Sequence, residues 1–447
     1  MAVTRVVVGT VYQAPTPGEL QVLHGAVVEM DDNGLIVAVH QDRTGSAEDA
    51  IARASSVHRL GAGERLLPGL VDTHIHAPQW PQLGTGLDIP LDRWLFEYTF
   101  PLEARYSDRR FAETVWSRMV PSLLRHGTTT AVYYSTIHEE ATLALAEACV
   151  AHGQRAFVGR VGMDHPEGTP DWYRDVSAAA AVEASARSVQ AIRNLRSTLV
   201  EPVITPRFAP ACSDDALRGL GELAASTGTR VQTHCSESDW EHSYAFGRFG
   251  VSDTLALQSF GLVREHTVLA HGDHVSDPDM DVIAAAGAGI AHCPLSNAYF
   301  ANAVFPVRRA LARGVRVGLG SDVAGGAAPG LLAQCAHAVT ASRHLEDGVD
   351  PARAATDRGV PGSRIDAVTA FHLATKGGAD LLGIPVGLIE PGRRFDAFVV
   401  DCTARASGLD AWEGIDDDGR LFEKIVRLAG HDDITTVWVD GRTVHPS

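Results

Sequence analysis

The stretch Pro68-Gly-Leu-Val-Asp-Thr-His-Ile-His76 decides the fold, because it is a short apolar run that ends in two histidines. Side chains alternate between the two faces of a strand, so His74 and His76 point to one face while Ile75 points to the other. Neutral imidazoles are good ligands for zinc or iron. A His-X-His pair also arises by coincidence, so this stretch by itself indicates no more than a possible metal site.

The middle of the chain alternates short apolar runs with longer helical patterns. Eight strands, each followed by a helix, are the count of a closed parallel (β/α)8 barrel of the TIM type, which is an α/β fold. The strands are predicted at Leu67–His74, Thr129–Tyr134, Arg155–Gly159, Pro202–Arg207, Arg230–His234, Thr267–His271, Gly289–His292 and Arg316–Gly320. Helices are predicted at Ser177–Leu195, Asp214–Ala225, Asp277–Ala286 and Val304–Ala312.

Both ends of the chain have a different sequence pattern from the middle. They contain short strand-like runs separated by turn-forming residues. The runs are Arg5–Tyr12, Ala26–Met30, Leu35–Val39, Asp396–Val400 and Thr436–Val439. We therefore expect residues 1–66 and 391–447 to form one small β-sandwich domain, and residues 67–390 to form the barrel. Residues 346–365 and the acidic segment 405–420 are expected to be loops.

Composition excludes several classes of partner. The formal net charge is −17, from 38 Lys+Arg and 55 Asp+Glu. Because phosphate binding needs a basic patch, nucleic acid and anionic membranes are disfavoured. No run of about 18 apolar residues predicts a membrane span. The six cysteines form no CxxC pair and the N-terminus lacks a signal-peptide pattern, so we expect a reduced, cytoplasmic protein.

Further histidine and acidic residues stand where later strands are predicted to end. His234 ends the fifth strand, His271 ends the sixth, and Asp322 follows the eighth. Each could instead cap a backbone group or a turn. Active sites of this barrel lie at the carboxyl ends of the strands. Together with His74 and His76, these residues therefore predict a metal centre.

Two other features bear on the chemistry. Glu237 stands three residues beyond His234, where a carboxyl with a raised pKa could donate a proton, although a solvated loop charge is the alternative. Binuclear hydrolases of this architecture bridge their metals with a carbamylated lysine on a middle strand. No lysine precedes Lys376, so a single metal is favoured. His292 ends the seventh strand and is interpreted as structural rather than as a ligand.

The chain resembles the amidohydrolase superfamily, and within it the guanine deaminases. The resemblance runs from about residue 67 to the C-terminus and is weaker before it. It is carried by Val71-Asp-Thr-His-Ile-His-Ala-Pro-Gln79, Gly84-Thr-Gly-Leu-Asp-Ile-Pro-Leu-Asp-Arg-Trp94, Tyr98-Thr-Phe-Pro-Leu-Glu103, His126-Gly-Thr-Thr-Thr130, Gly153-Gln-Arg-Ala-Phe-Val-Gly159, Thr205-Pro-Arg-Phe208, Gly320-Ser-Asp-Val-Ala-Gly-Gly326 and Leu373-Ala-Thr-Lys-Gly-Gly378. Cys235 and Leu295 depart from the family pattern without touching a matched ligand.

The resemblance implies a role for each matched residue. The implied metal ligands are His74, His76, His234 and Asp322, holding one Zn²⁺ per subunit or, alternatively, Fe²⁺. Glu237 would shuttle protons, Asp322 would accept the proton of the attacking water, and His271 would steady the hydroxide on the metal. The implied purine-binding residues are Gln79, Trp94, Arg207 and Phe208, with His234 and Glu237 beside them.

The activity implied is hydrolytic deamination of guanine to xanthine and ammonia, in a homodimer. Related enzymes act on 8-oxoguanine, pterins or aminotriazines with the same metal set, so these rings remain alternatives. A hydrolase of a cyclic amide or a chlorinated triazine is a second alternative, and a non-enzymatic scaffold is a third, although such relatives typically lack the ligands. The unrelated cytidine-deaminase type is excluded, because its H-x-E and P-C-x-x-C pattern is absent.

Overall fold

The structure, a computed structural model, describes residues 4–403 and 408–445. The described residues form seventeen strands, which we number in chain order. They are β1 (Arg5–Thr16), β2 (Glu19–Met30), β3 (Ile36–His40), β4 (Ser56–Arg59), β5 (Glu64–Pro68), β6 (Leu70–His76), β7 (Thr128–Tyr134), β8 (Arg155–Gly159), β9 (Val161–Gly162), β10 (Val200–Pro206), β11 (Arg230–Cys235), β12 (Val268–His271), β13 (Gly289–His292), β14 (Arg316–Leu319), β15 (Ala397–Asp401), β16 (Ile434–Val439) and β17 (Arg442–His445).

The α-helices are numbered in the same way. They are α1 (Gly45–Arg53), α2 (Leu91–Trp94), α3 (Phe100–Ala104), α4 (Arg109–Arg125), α5 (Glu139–His152), α6 (Ala178–Asn194), α7 (Asp214–Thr227), α8 (Asp239–Phe249), α9 (Asp253–Ser259), α10 (Asp277–Ala285), α11 (Pro294–Phe300), α12 (Val307–Ala312), α13 (Leu331–Asp347), α14 (Ala367–His372), α15 (Gly378–Leu382) and α16 (Asp418–Leu428). Short 3₁₀ segments cover Ala77–Gln82, Arg105–Ser107, Ala209–Ala211 and Ala355–Asp357, and π-helical turns cover Leu95–Thr99 and Leu373–Gly377. None of the described helices has the length and apolarity needed to span a bilayer.

Eight parallel strands close into a barrel, as the sequence predicts. The order around it is β11-β12-β13-β14-β6-β7-β8-β10, and pairing of β10 with β11 closes the ring. Every residue of β7 is buried, because barrel strands are covered on both faces. The register aligns the strand ends: His76 lies opposite Tyr134, and Cys235 lies opposite His271. The candidate site residues therefore share one rim.

The first predicted strand, Leu67–His74, is two strands in the structure. β5 ends at Pro68 and pairs with β1 and β15, whereas β6 begins at Leu70 and pairs with β7 and β14. Gly69 lies at the crossing, where its N–H donates to the Asp396 carbonyl. A Cβ at Gly69 would come within 2.2 Å of the Thr129 hydroxyl, so only glycine fits there.

Strands from both termini form a separate mixed sheet, as expected. Its order is β17-β16-β15-β5-β1-β2-β3, with β4 paired to β1. The strands belong to one hydrogen-bonded sheet. The division into 1–66 plus 391–447 and 67–390 remains a proposal, and β5 carries the sheet two residues past it, to Pro68.

A buried ion pair joins the sheet to the barrel. Arg155, at the start of β8, donates from Nε and Nη2 to the two carboxylate oxygens of Asp396, at 3.0 and 3.1 Å, and from Nη2 to Asp440 at 2.7 Å. Asp396 and Asp440 lie at the beginning of β15 and the end of β16. The two parts of the chain are thus held by charge as well as by apolar packing.

The predicted helices differ from the observed ones only at their ends. Ser177 and Ser213 cap α6 and α7 by accepting from the Ala180 and Ala216 N–H groups. α12 begins at Val307 instead of Val304, because Pro306 precedes its first turn. In segment 346–365 helix α13 runs on to Asp347 before the loop begins. Of segment 405–420, residues 405–407 lie outside the described residues, and α16 begins at Asp418.

Candidate metal centre and ring-binding pocket

Five side chains from four strands meet at the carboxyl end of the barrel. His74 and His76 come from β6, His234 from β11 and His271 from β12, and Asp322 follows β14. The Nε2 atoms of His76 and His234 are 3.0 Å apart. Asp322 Oδ1 lies 3.1 Å from His74 Nε2 and 3.7 Å from His76 Nε2. The ligand atoms fall into overlapping triads whose members lie within 4.8 Å of one another. The structure thus brings together every metal ligand predicted from the sequence.

The histidines of this cluster are neutral and offer lone pairs. Burial lowers the pKa of His74, His76 and His234 well below the ordinary value. Nδ1 of His234 lies 2.6 Å from the Arg207 carbonyl. A carbonyl can only accept, so Nδ1 donates, and Nε2 carries no proton and keeps its lone pair. Neither ring nitrogen of His74 makes a hydrogen bond to any described residue. Buried nitrogens without partners are costly, and a bound cation would satisfy them. The residues therefore fit a metal ion.

Backbone geometry at the rim is unusual. His271 and Asp322 both have left-handed conformations, with φ of 73° and 46°. Such conformations cost free energy for residues other than glycine and concentrate at functional sites. Asp322 is tied to β6 because its N–H donates to the His74 carbonyl at 2.9 Å. The buried Asp72 accepts from the N–H groups of His74 and Ser321, at 3.2 and 3.0 Å. Asp72 thereby links β6 to the segment after β14.

Glu237 lies beside the cluster in a dry environment. Its side chain is 7% exposed, and Oε1 is 3.7 Å from His271 Nε2. Burial raises the pKa of Glu237 well above its ordinary value, and the Asp322 carboxylate raises it further. A raised pKa favours the protonated carboxyl, which is the form that can act as a general acid.

Two buried carboxyls hold the loop that carries Glu237. Glu241 Oε2 accepts from the Glu237 N–H at 2.7 Å, and Asp253 Oδ2 accepts from the Ser236 N–H at 2.8 Å. Ser236 is left-handed, with φ of 54°. Burial raises the pKa of Glu241, and the neighbouring Asp253 carboxyl raises it further, while burial raises the pKa of Asp253 to about 7.

Asn297 fixes the orientation of the His271 ring. Nδ1 of His271 lies 2.9 Å from Asn297 Oδ1, and Asn297 Nδ2 donates to Asp273 Oδ1 at 2.8 Å. An amide oxygen only accepts, so His271 Nδ1 donates and its Nε2 carries the lone pair. His292, expected to be structural, is buried against Phe305 and does not line the cavity.

A cavity opens beside the metal cluster. One side is apolar, where the Trp94 and Phe300 rings lie 5.2 Å apart. The other side is polar and includes the predicted purine-binding residues. The lining consists of His76, Gln79, Leu91, Trp94, Leu95, Arg207, Phe208, His234, Glu237, Phe300, Asp322 and Gly325. A slot with one polar wall and apolar faces suits a flat heteroaromatic ring.

Glu103, to which the sequence assigns no role, holds the polar side chains of the cavity wall by hydrogen bonds. Its carboxylate accepts from Arg207 Nη1 at 2.6 Å, Arg207 Nη2 at 3.1 Å, Gln79 Nε2 at 3.2 Å and the Tyr173 hydroxyl at 3.0 Å. Gln79 Oε1 accepts from the Ala324 N–H at 3.1 Å, so its amide orientation is fixed at both ends. Two of the five Arg207 donors are therefore already used. The only sequence signal for Glu103 was its place in the matched segment Tyr98–Glu103.

Comparison with known proteins places these observations in a family. The amidohydrolase family model matches residues 65–444. A probable guanine deaminase of Schizosaccharomyces pombe is 37% identical, over 98% of this chain and 83% of the relative. Guanine deaminase of Dictyostelium discoideum is 33% identical, over 98% and 97%. The crystal structure of guanine deaminase from C. acetobutylicum with bound guanine superposes with a TM-score of 0.87 at 27% identity, covering 98% of this chain and 99% of that one.

Proposed function

Because the chain belongs to the guanine deaminases of the amidohydrolase family, we propose that it hydrolyses guanine to xanthine and ammonia. One observation carries the proposal. A buried His/Asp metal-binding cluster lies against a cavity that is also lined by Glu237, a carboxyl whose pKa is raised by burial. Hydrolytic loss of an amine from a ring needs a nucleophile, an acid for the leaving nitrogen and a slot that orients the ring.

We propose that His74, His76, His234 and Asp322 hold one ion per subunit, Zn²⁺ or alternatively Fe²⁺. Such an ion supplies a nucleophile at neutral pH by lowering the pKa of a bound water toward about 7. A bridging lysine for a second ion is missing, since no lysine precedes Lys376.

The chain's own groups move the protons. Glu237 protonates ring nitrogen N3, which makes C2 more electrophilic; it then takes up a proton that originates from the attacking water and delivers it to the departing amine, which leaves as ammonia. Asp322 accepts a proton from the attacking water. His271 donates from Nδ1 to Asn297, so its Nε2 lone pair orients that water by accepting a hydrogen bond.

The cavity walls position the ring. Phe208 and Trp94 cover its faces, and Arg207 directs the N–H groups not used by Glu103 toward the ring oxygen O6. Gln79 keeps one free N–H and one free lone pair for the ring edge. His234 and Glu237 border the reacting carbon. The homodimer and the cytoplasmic location expected from the sequence stay predictions.

A substrate panel tests the proposal on protein whose metal content has been measured. Guanine, 8-oxoguanine, a pterin and an aminotriazine are assayed for ammonia release and for the ultraviolet change that accompanies deamination. We expect the highest kcat/KM for guanine, with xanthine as product. A higher kcat/KM for one of the other rings would identify that ring as the substrate instead.

A further inference from the structure

A buried ion pair supports the wall of the ring-binding cavity, because Arg207 lines the cavity and is bonded to Glu103, which does not line it. The side chains of Arg207 and Glu103 are 2% and 0% exposed, and two hydrogen bonds join them. Burial lowers the pKa of Arg207, but the Glu103 carboxylate raises it more, so the guanidinium stays charged. Because water is excluded, each charge is compensated by its partner and not by solvent.

The other titratable groups packed around this ion pair are uncharged, so they do not alter the balance between the Arg207 and Glu103 charges. Burial raises the pKa of the Tyr134 and Tyr173 hydroxyls well above the ordinary value, so both stay protonated. Burial lowers the pKa of His138, whose ring is tilted against that of Tyr173, and of His76 and His234 on the cavity side, which favours three neutral imidazoles.

The two carboxyls that line the cavity lie on its metal side. Glu237 Oε1 lies 3.7 Å from His271 Nε2, and Asp322 Oδ1 lies 3.1 Å from His74 Nε2. The guanidinium of Arg207 is paired with Glu103 and with neither of these two carboxyls.

Building on the proposed function, we propose that Glu103 is a specificity-determining residue that makes this site select the neutral lactam form of a purine and reject purine anions. An isolated guanidinium would attract an anionic ring strongly in a dry pocket. When Arg207 is paired with Glu103, the negative charge of the carboxylate offsets the attraction between the guanidinium and an anionic ring. The anion still loses its hydration when it enters the cavity, and that loss costs free energy. Xanthine gives up a ring proton at mildly alkaline pH more readily than guanine does. The Arg207–Glu103 pair therefore weakens the binding of the product xanthine more than the binding of the substrate guanine.

Direct binding of xanthine to the metal-loaded protein tests this inference. Calorimetry at mildly acidic and mildly alkaline pH gives Kd for the neutral and the anionic ligand, with hypoxanthine, which stays neutral over this range, reporting the protein's own titration. We expect the wild-type Kd for xanthine to rise with pH relative to that for hypoxanthine. In Glu103→Gln the uncompensated Arg207 should reverse this trend, making the anion on the order of tenfold tighter than in the wild type.

Two matched variants isolate the charge. Glu97→Gln removes an exposed carboxylate paired with Arg93 in the same segment, and should keep the wild-type trend. Glu103→Gln/Arg207→Gln removes both buried charges, and should weaken xanthine and hypoxanthine alike without favouring the anion.

A wild-type protein that binds the xanthine anion more tightly than neutral xanthine overturns the inference, and this holds even if Glu103→Gln does not fold. A folded Glu103→Gln with the wild-type trend also overturns it. Guanine turnover is measured on the same samples. Turnover without the predicted binding trend refutes only this inference, whereas the trend without turnover refutes only the proposed function.

Discussion

The carboxylate of Glu241 accepts a hydrogen bond from the backbone N–H of Glu237 at 2.7 Å, one turn of helix α8 away from the proposed acid. The buried Asp253 accepts a hydrogen bond from the neighbouring Ser236 N–H at 2.8 Å. Glu241 is thus a positioning residue that fixes where the Glu237 side chain begins.

Glu241→Ala should lower kcat while KM for guanine changes little. It leaves the Glu237 N–H without its buried acceptor, which costs about 1–3 kcal/mol and corresponds to a loss of roughly 5- to 150-fold. Glu241→Gln is the matched control, because its amide oxygen can still accept from the Glu237 N–H. Steady-state kinetics in which both variants lose activity equally would contradict the assignment.

Glu237→Gln should retain the metal but lose about 10²- to 10⁴-fold in kcat, because an amide cannot donate and return the proton. Elemental analysis and steady-state kinetics on the same preparation check this. Near-normal turnover with bound metal would show that another group supplies the proton.

Arg207→Ala should mainly raise KM for guanine, because it removes donors to the ring and leaves the buried Glu103 carboxylate unpaired. Its metal content should stay at the wild-type level, since Arg207 reaches the cluster only through a backbone carbonyl bonded to His234. The measurement is kcat and KM with metal analysis. Lost metal with an unchanged KM would refute the binding role.

The pH dependence of kcat/KM should report the raised pKa of Glu237. Its protonated form is the reactive one, so activity should persist well above the ordinary glutamate pKa and fall as the pH rises past the shifted pKa. An alkaline limb centred near the ordinary glutamate pKa of about 4.3 would mean that burial does not shift this carboxyl.

The ion pair between barrel and terminal sheet should matter for stability and not for chemistry. Asp396→Ala leaves the buried Arg155 without its bidentate partner, and we expect a loss of about 3–5 kcal/mol in the free energy of unfolding. Glu139→Ala, which breaks an exposed pair with Arg187, should cost no more than about 1 kcal/mol. Denaturant titrations compare the two. Equal losses would show that the buried pair does not hold the sheet to the barrel.

The metal cluster was predictable from sequence because its residues sit at strand ends, and a parallel barrel brings all such ends to one rim. His74, His234 and Asp322 could be placed together on that rule alone. To apply this rule one needs to know only where the successive strands end, and the apolar runs in the sequence indicate that.

Glu103 could not be assigned a role in the same way. Its partner Arg207 is 104 residues away, and their contact depends on how segment 77–104 folds over the barrel. In the sequence, Glu241 is an ordinary acidic residue in the first turn of a helix, and Asp72 is one residue of a strand. Their neighbours in the sequence therefore do not predict the buried hydrogen bonds that they make. The break at Gly69 was missed because apolar residues continue on both sides of it.

The central claim is tested most directly by metal titration of the deamination of guanine. Protein stripped of metal should release no ammonia from guanine, and one equivalent of Zn²⁺ or Fe²⁺ per chain should restore it, with xanthine formed in equal amount. Full turnover by metal-free protein, or a requirement for two ions per chain, would contradict the single-metal deaminase described here.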